Sequence, residues 1–362
     1  MTTDFSRFGG PAPVRPEPEG PAPFEAEIDA TFIGVDFGGV SHYRLMLPAR
    51  ALRANLFIRT RDLDRMKLVG TPDARVAIMS MPRSTEMFSE AMQILAHPDR
   101  RLIVDLDDCL RSVVEAGTHP AAADWAKLLD KHEWLIGRAD LVTVTTEWLA
   151  DYAHSCGAQA VRVIPNALDL ERWDNLKREP RHKTKTIVGW SGSYGHEEAV
   201  AAVAPALLEL LDSRDDFAMA SVGVPISRYF PERIRHRFHD IGFVPSAKHP
   251  GILTQFHINI GPTLETDFYR AKSDLRALEA FASDSTFIGG ATTYMDTMVQ
   301  ADAGWSCSSE DPTSLAHVLS MVLDERPVNI MRDRKAGLRY VREERTIQSV
   351  APLWREAIEE LL

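Results

Sequence analysis

Ten residues, Arg270-Ala271-Lys272-Ser273-Asp274-Leu275-Arg276-Ala277-Leu278-Glu279, place three cations around a helix start. Ser273 is positioned to cap the first turn and Asp274 favours it. Leu275, Leu278 and Ala282 recur at helical spacing. The free amides of such a turn, with Arg270 and Lys272 beside them, make an anion site of the kind that holds phosphate. Glu279 follows Ser273 by six residues, roughly 9 Å along the axis at about 1.5 Å per residue, the span from a diphosphate to a ribose. A carboxylate there can accept hydrogen bonds from both sugar hydroxyls. The ten residues read either as a nucleoside-diphosphate site or as a charged surface helix.

A second cluster closes an apolar run: Arg101-Leu102-Ile103-Val104-Asp105-Leu106-Asp107-Asp108-Cys109. A strand ending in three acids fits a metal-binding Asp-x-Asp pair, whose hard oxygens hold a divalent ion. It also fits the first motif of haloacid-dehalogenase-type phosphatases, with Asp105 as nucleophile and Asp107 as acid. That motif wants Thr or Val where Cys109 stands, and an acidic pair on a later strand that the sequence does not offer. Earlier in the chain, Gly38 and Gly39 permit a tight turn, with His42 and Arg44 following at a helix start. His42 there either serves chemistry or solvates the turn.

Elements must hold these residues in place. Residues 31–37, 55–58, 75–81, 101–106, 141–145 and 161–164 read as strands with helical patterns between them, the first over 43–54. Such alternation predicts an α/β fold with a doubly wound parallel sheet. The pattern restarts after a polar, basic stretch at 175–185, with strands over 186–191, 217–222, 258–260, 286–288 and 304–306. Small residues in the Ser191-Gly192-Ser193-Tyr194 loop let a backbone approach a phosphate, at the strand ends where parallel sheets bind ligands. Arg228 to Arg237 reads as a solvated helix face. A last helix over 349–362 puts Leu353, Trp354, Ala357, Ile358, Leu361 and Leu362 on one side.

Composition sets bounds. The 362 residues suffice for two domains, and 44% hydrophobic residues let each bury a core. No apolar run reaches the ~18 residues of a membrane span, and a secretory signal is not in evidence. Cys109, Cys156 and Cys307 are few, odd in number and far apart. They suit a reducing, cytoplasmic setting and argue against a disulfide framework or a cysteine metal cluster. A net charge of −11 disfavours a grip on nucleic acid, which normally needs a basic face. Six prolines within residues 1–23 make an extended arm.

In their order, four stretches resemble the nucleotide-sugar-dependent glycosyltransferases of GT-B fold, in the group whose second domain carries a Glu-x7-Glu motif. Residues 139–146 through 163–169 resemble the end of that family's first domain. Residues 188–193 resemble the opening strand and phosphate loop of the second, and 272–279 its donor helix. Residues 294–305, with Glu310-Asp311-Pro312 after them, resemble its closing pattern. The likeness runs over about residues 30–345. Two departures stand out. Ala271 occupies the place of the first Glu, leaving only Glu279, and His196, Glu197 and Glu198 stand where a basic pair usually follows the phosphate loop.

The resemblance implies a proline-rich arm (1–28), Rossmann-like domains over 29–178 and 179–345 facing a cleft, and a terminal helix (346–362) that crosses back to the first. It implies a metal-independent transferase with no cofactor, moving a sugar from a nucleoside-diphosphate sugar, with UDP as the nucleotide, to an acceptor hydroxyl. The donor contacts would be Gly38, Gly39, Asn166, Ser191, Gly192, Ser193, Tyr194, Val244, Arg270, Lys272, Ser273 and Glu279. Phe243, Val244 and Pro245, after a strand-like 240–243, would frame the base. Asp107 or Asp108 would contact the acceptor or act as base beside His42, and Lys272 would face the leaving diphosphate. The acceptor is open among glycan, protein side chain, metabolite and modified DNA base. A non-catalytic nucleotide-sugar- or glycan-binding protein on the same scaffold is the alternative that Ala271 keeps alive.

Overall fold

A computed structural model describes residues 26–34, 38–58, 67–69, 74–176, 181–182 and 184–362. The proline-rich arm to residue 25, the end of the expected first strand at 35–37, and much of the 175–185 linker lie outside the described residues. The chain forms two compact units. The N-terminal unit runs to Leu168 and also includes Ala271–Ser273 and Arg345–Leu362. The C-terminal unit comprises Asp169–Arg270 and Asp274–Glu344.

Among the described residues the N-terminal sheet has seven strands: β1 (Ala30–Gly34), β2 (Asn55–Ile58), β3 (Lys67–Val69), β4 (Val76–Ser80), β5 (Arg101–Leu106), β6 (Leu141–Val144) and β7 (Val161–Val163). Their order is β3-β2-β1-β4-β5-β6-β7. All neighbours run parallel except the edge strand β3, a short antiparallel addition that sequence reading missed. Alternate residues feed two cores, as the two-residue strand period requires. Ile33, Met79, Leu102 and Val104 pack on one face. Phe32, Ile78 and Ile103 pack on the other, together with Trp354 and Ile358 of helix Ile347–Glu359. Trp354 stands edge-on to Phe32, with centroids 5.5 Å apart. Of the apolar stripe on this last helix, Trp354, Ala357 and Ile358 are buried, whereas Leu353 and Leu362 remain exposed.

The helix expected over 43–54 is broken into three parts. A short turn at Gly39–Ser41 passes into a π-helical turn at His42–Met46 and then helix Leu47–Leu52. Pro48 has no N–H to give the carbonyl four residues back, so the ladder widens just before it, with the Leu47 amide bonded to the carbonyl of His42.

The C-terminal sheet contains β8 (Thr186–Gly192), β9 (Phe217–Gly223), β10 (Phe238–Asp240), β11 (Ile258–Gly261), β12 (Thr286–Gly290) and β13 (Trp305–Cys307). The order is β10-β9-β8-β11-β12-β13, parallel throughout. Two expectations change. The strand lies at Phe238–Asp240 rather than 240–243, because Gly242 takes a positive φ of 77° and turns the chain into a loop. The arginine-rich stretch forms two 3-10 turns, Ser227–Tyr229 and Glu232–Arg237. Arg237 is buried there and donates to the carbonyls of Arg214, Leu211 and Phe217.

In each sheet the winding reverses beside the first strand, between β1 and β4 and between β8 and β11. Open α/β sheets bind ligands at the carboxyl ends of the strands flanking such a point. Among the described residues no helix is long and apolar enough to cross a membrane, and all three cysteines are free.

Candidate functional site

At the carboxyl end of β8, the Ser191 hydroxyl lies 2.8 Å from His249 Nε2. His249 opens helix His249–Leu253, and its Nδ1 lies 3.4 Å from Glu279 Oε1. Glu279 projects from helix Leu275–Ala282 with only 7% of its side chain exposed. Three elements thus align a hydroxyl, an imidazole and a carboxylate. A neutral imidazole donates from one nitrogen and accepts at the other. Nδ1–H toward Glu279 leaves Nε2 to accept from Ser191.

Helix Leu275–Ala282 begins one residue later than the sequence implied. Asp274 holds the N-cap position and its carboxylate accepts from the Thr297 hydroxyl at 2.6 Å. Ser273 does not cap, since its hydroxyl accepts from Asn166 Nδ2 at 2.9 Å. Beyond Gly192 the exposed Ser193 and Tyr194 lead to Gly195 with φ of 89°. The buried Tyr269 hydroxyl underpins this loop, accepting from the Ala199 amide at 3.2 Å and donating toward the His196 carbonyl at 3.3 Å. Tyr194 and Phe243 put two exposed rings 5.5 Å apart, with Val244 half-buried next to Phe243. Arg270 is exposed and paired with Glu265 at 3.2 Å and Asp267 at 3.5 Å.

The N-terminal unit engages Asp105 completely. Its Oδ1 accepts from Arg44 Nη2 at 2.7 Å and from the Thr143 hydroxyl at 2.8 Å, and its Oδ2 from Arg44 Nε at 3.1 Å. Arg44, equally buried, also donates to the Ile164 carbonyl at 2.7 Å and lies 4.9 Å from the Trp354 ring centroid. A phosphatase nucleophile must reach solvent and substrate. Asp105 is fully buried with both oxygens bonded, so the phosphatase alternative fails on this geometry. Asn166 is buried too. Its Oδ1 accepts from Arg44 Nη1 at 3.4 Å and its carbonyl from Arg345 at 3.0 Å.

Asp107, two residues on, is different. It is half-buried, and its Oδ1 has no hydrogen-bond partner among the described residues. Burial, then the neighbouring Asp108 and Asp105, push its carboxyl up to about 7, with Arg83 and Arg44 opposing. Asp108 forms an ion pair with Lys272 and accepts from the Cys109 amide at 2.9 Å. His42 lies half-buried in the π turn, edge-on to Tyr43 at 4.9 Å. The expected tight glycine turn is not used. Gly38 has an ordinary φ of −70°, and a Cβ on Gly39 would meet nothing within 4 Å. Ala271 is fully buried and joins the N-terminal core of Met79, Leu102 and Val104. A Glu here would carry its carboxylate into apolar surroundings, a physical reason for the missing first acid.

Sequence reading passed over His249, Trp190 and Arg276 as site residues. No spacing signals His249, which meets Ser191 from 58 residues away. Arg276 was visible as one of three cations, yet only folding shows that it lies over Trp190, with 5.7 Å from guanidinium carbon to ring centroid.

Two parallel-stranded, helix-flanked sheets of this order are the two Rossmann-like domains of the GT-B fold. Solved structures share it at low sequence identity. Sucrose-phosphate synthase from Thermosynechococcus elongatus superposes with a TM-score of 0.66 and 15% identity, covering 92% of this chain and 98% of its own. A glycosyltransferase from Rickettsia africae gives 0.67 and 12%, covering 92% and 99%. The Escherichia coli trehalose-6-phosphate structure bound with UDP-2-fluoro glucose gives 0.57 and 10%, covering 79% and 73%. No family model matches the sequence, and no curated protein matches it either.

Proposed function

We propose that this protein is a glycosyltransferase that moves a sugar from a nucleoside-diphosphate sugar to an acceptor hydroxyl. The carrying observation is the Ser191–His249–Glu279 alignment at the carboxyl edge of the C-terminal sheet. A shielded carboxylate, steadied by an imidazole, is what a ribose diol needs as its acceptor. The exposed Tyr194 and Phe243 rings offer a stacking surface for the base. Uridine diphosphate is the proposed nucleotide, as in the ligand of the E. coli neighbour.

The acceptor oxygen attacks the anomeric carbon as the bond to the diphosphate oxygen breaks, and the diphosphate leaves with the electron pair. Asp107, with a carboxyl near neutrality and an oxygen that has no hydrogen-bond partner among the described residues, is the proposed base that takes the acceptor's proton. Charge growing on the diphosphate is the main demand on the site, met by loop amides and fixed cations. No metal enters this scheme, so turnover persists in excess chelator.

The test is a panel of nucleotide sugars assayed for released nucleoside diphosphate, with Glu279→Gln alongside. Glu279→Gln loses charge-assisted bonds, and UDP affinity should fall about tenfold to a hundredfold without loss of fold. Binding without release across the panel would show a binding protein in place of an enzyme. Undiminished UDP affinity in Glu279→Gln would remove the ribose assignment.

A further inference from the structure

The two cations that the sequence favoured for the diphosphate are both paired with carboxylates: Arg270 with Glu265 and Asp267, Lys272 with Asp108. Arg276 is placed otherwise. It extends from the first turn of helix Leu275–Ala282 over the ring of the fully buried Trp190, which lies in β8 two residues before Gly192. A Cβ on Gly192 would collide with the Trp190 ring and stand 2.9 Å from Arg276 Nη2. The guanidinium therefore reaches the backbone where β8 opens into its loop.

Two buried donors here have no hydrogen-bond partner among the described residues, Arg276 Nη1 and Trp190 Nε1. The guanidinium also interacts with the buried Tyr294 phenol, opposing the upward shift that burial gives its pKa. Arginine keeps its charge at any ordinary pH, and a buried donor left unmatched in a native protein calls for a partner or a functional reason. A dianionic group fits both the charge and the fork geometry of a guanidinium.

We propose that Arg276 is the residue that binds the donor's diphosphate, with Trp190 as the platform that fixes its guanidinium plane. The assignment rests on the nucleotide site proposed above. It transfers to Arg276 the role expected of Lys272, whose charge is matched by Asp108. Gly192 is required on two counts: no side chain fits against Trp190, and its bare backbone leaves room for a phosphate oxygen.

Calorimetric titration of the full chain with UDP, uridine and inorganic pyrophosphate tests this. Arg276→Gln should weaken UDP and pyrophosphate about tenfold to a hundredfold and leave uridine unchanged. Arg276→Lys, which keeps the charge but not the fork, should fall between. Should Arg276→Gln fail to fold, Arg276→Met retains the stem over Trp190 and gives the same readout. UDP binding as tight as wild type, or uridine binding that falls in parallel with UDP, would overturn the assignment. Wild-type protein that binds UDP no tighter than uridine would overturn it as well. Wild type that binds none of the three overturns the nucleotide site itself. Wild type that binds pyrophosphate without UDP, with the loss in Arg276→Gln, upholds Arg276 and defeats only the choice of nucleotide.

Discussion

Asp107 carries a burden that its neighbours do not. Asp105 is neutralised by Arg44 and Asp108 by Lys272, whereas Asp107 sits beside both acids with one oxygen unmatched among the described residues. Its carboxyl, at about 7 against an ordinary 3.8, holds a proton in the folded chain that the unfolded chain has already lost. Below pH ~4 both states are protonated. From there the folded state loses stability as pH rises through about 7. Asp107→Asn removes the cost of that ionisation, so it should raise Tm at pH 8, by roughly 1–3 kcal/mol of stability, and change it little at pH 4. The same substitution should lower kcat about a hundredfold or more and abolish the rise of kcat/KM through about pH 7. A pH–rate profile and thermal melts at the two pH values measure both. An Asn variant with intact kcat removes Asp107 as the base.

Between residue and fold lies the segment that leads into helix Leu275–Ala282, where three residues are held by the N-terminal unit. Ala271 enters its core, Lys272 pairs with Asp108, and Ser273 accepts from Asn166. Ala271→Glu, which writes the first acid of the resembled Glu-x7-Glu motif into this chain, should destabilise the protein by about 3 kcal/mol or more by burying an unpaired carboxylate. Urea unfolding would register the loss, and an unchanged midpoint would mean that the side chain escapes the core. This segment also shows what was legible beforehand. Helical spacing located helix Leu275–Ala282 with Glu279 on it, and apolar runs located β2 and β5 with their observed ends, because both signals are local. The capping by Ser273 was misjudged because its partner, Asn166, is distant in sequence, and the pairing of Lys272 with Asp108 and of Asp105 with Arg44 left no local sign for the same reason. His249 was missed for the same reason. β3 went unseen because an edge pairing of three residues leaves hardly any pattern.

At the scale of the whole chain, the N-terminal unit is assembled from pieces far apart in sequence, and its last piece is the chain's end. Helix Ile347–Glu359 covers one face of the first sheet, with Trp354 against Phe32 and beneath the guanidinium of Arg44. The backbone joins in, since the Leu168 amide donates to the Arg345 carbonyl and the Ile347 amide to the Leu168 carbonyl, each at 2.9 Å. Without residues 345–362, Phe32 would lose the Trp354 ring and the Arg44 guanidinium the same indole beneath it. Trp354→Ala should therefore cost about 3–5 kcal/mol. A fragment of residues 26–168 should fail to melt cooperatively until a peptide of residues 345–362 is added. The C-terminal unit keeps its own sheet and its own core of Val188, Trp190, Leu207, Phe217 and Ile260. A fragment of residues 169–344 should melt cooperatively and bind UDP unaided. Differential scanning calorimetry of the two fragments, with and without the peptide, decides the matter. Cooperative melting of 26–168 alone would mean that the terminal helix adds to a core already complete without it.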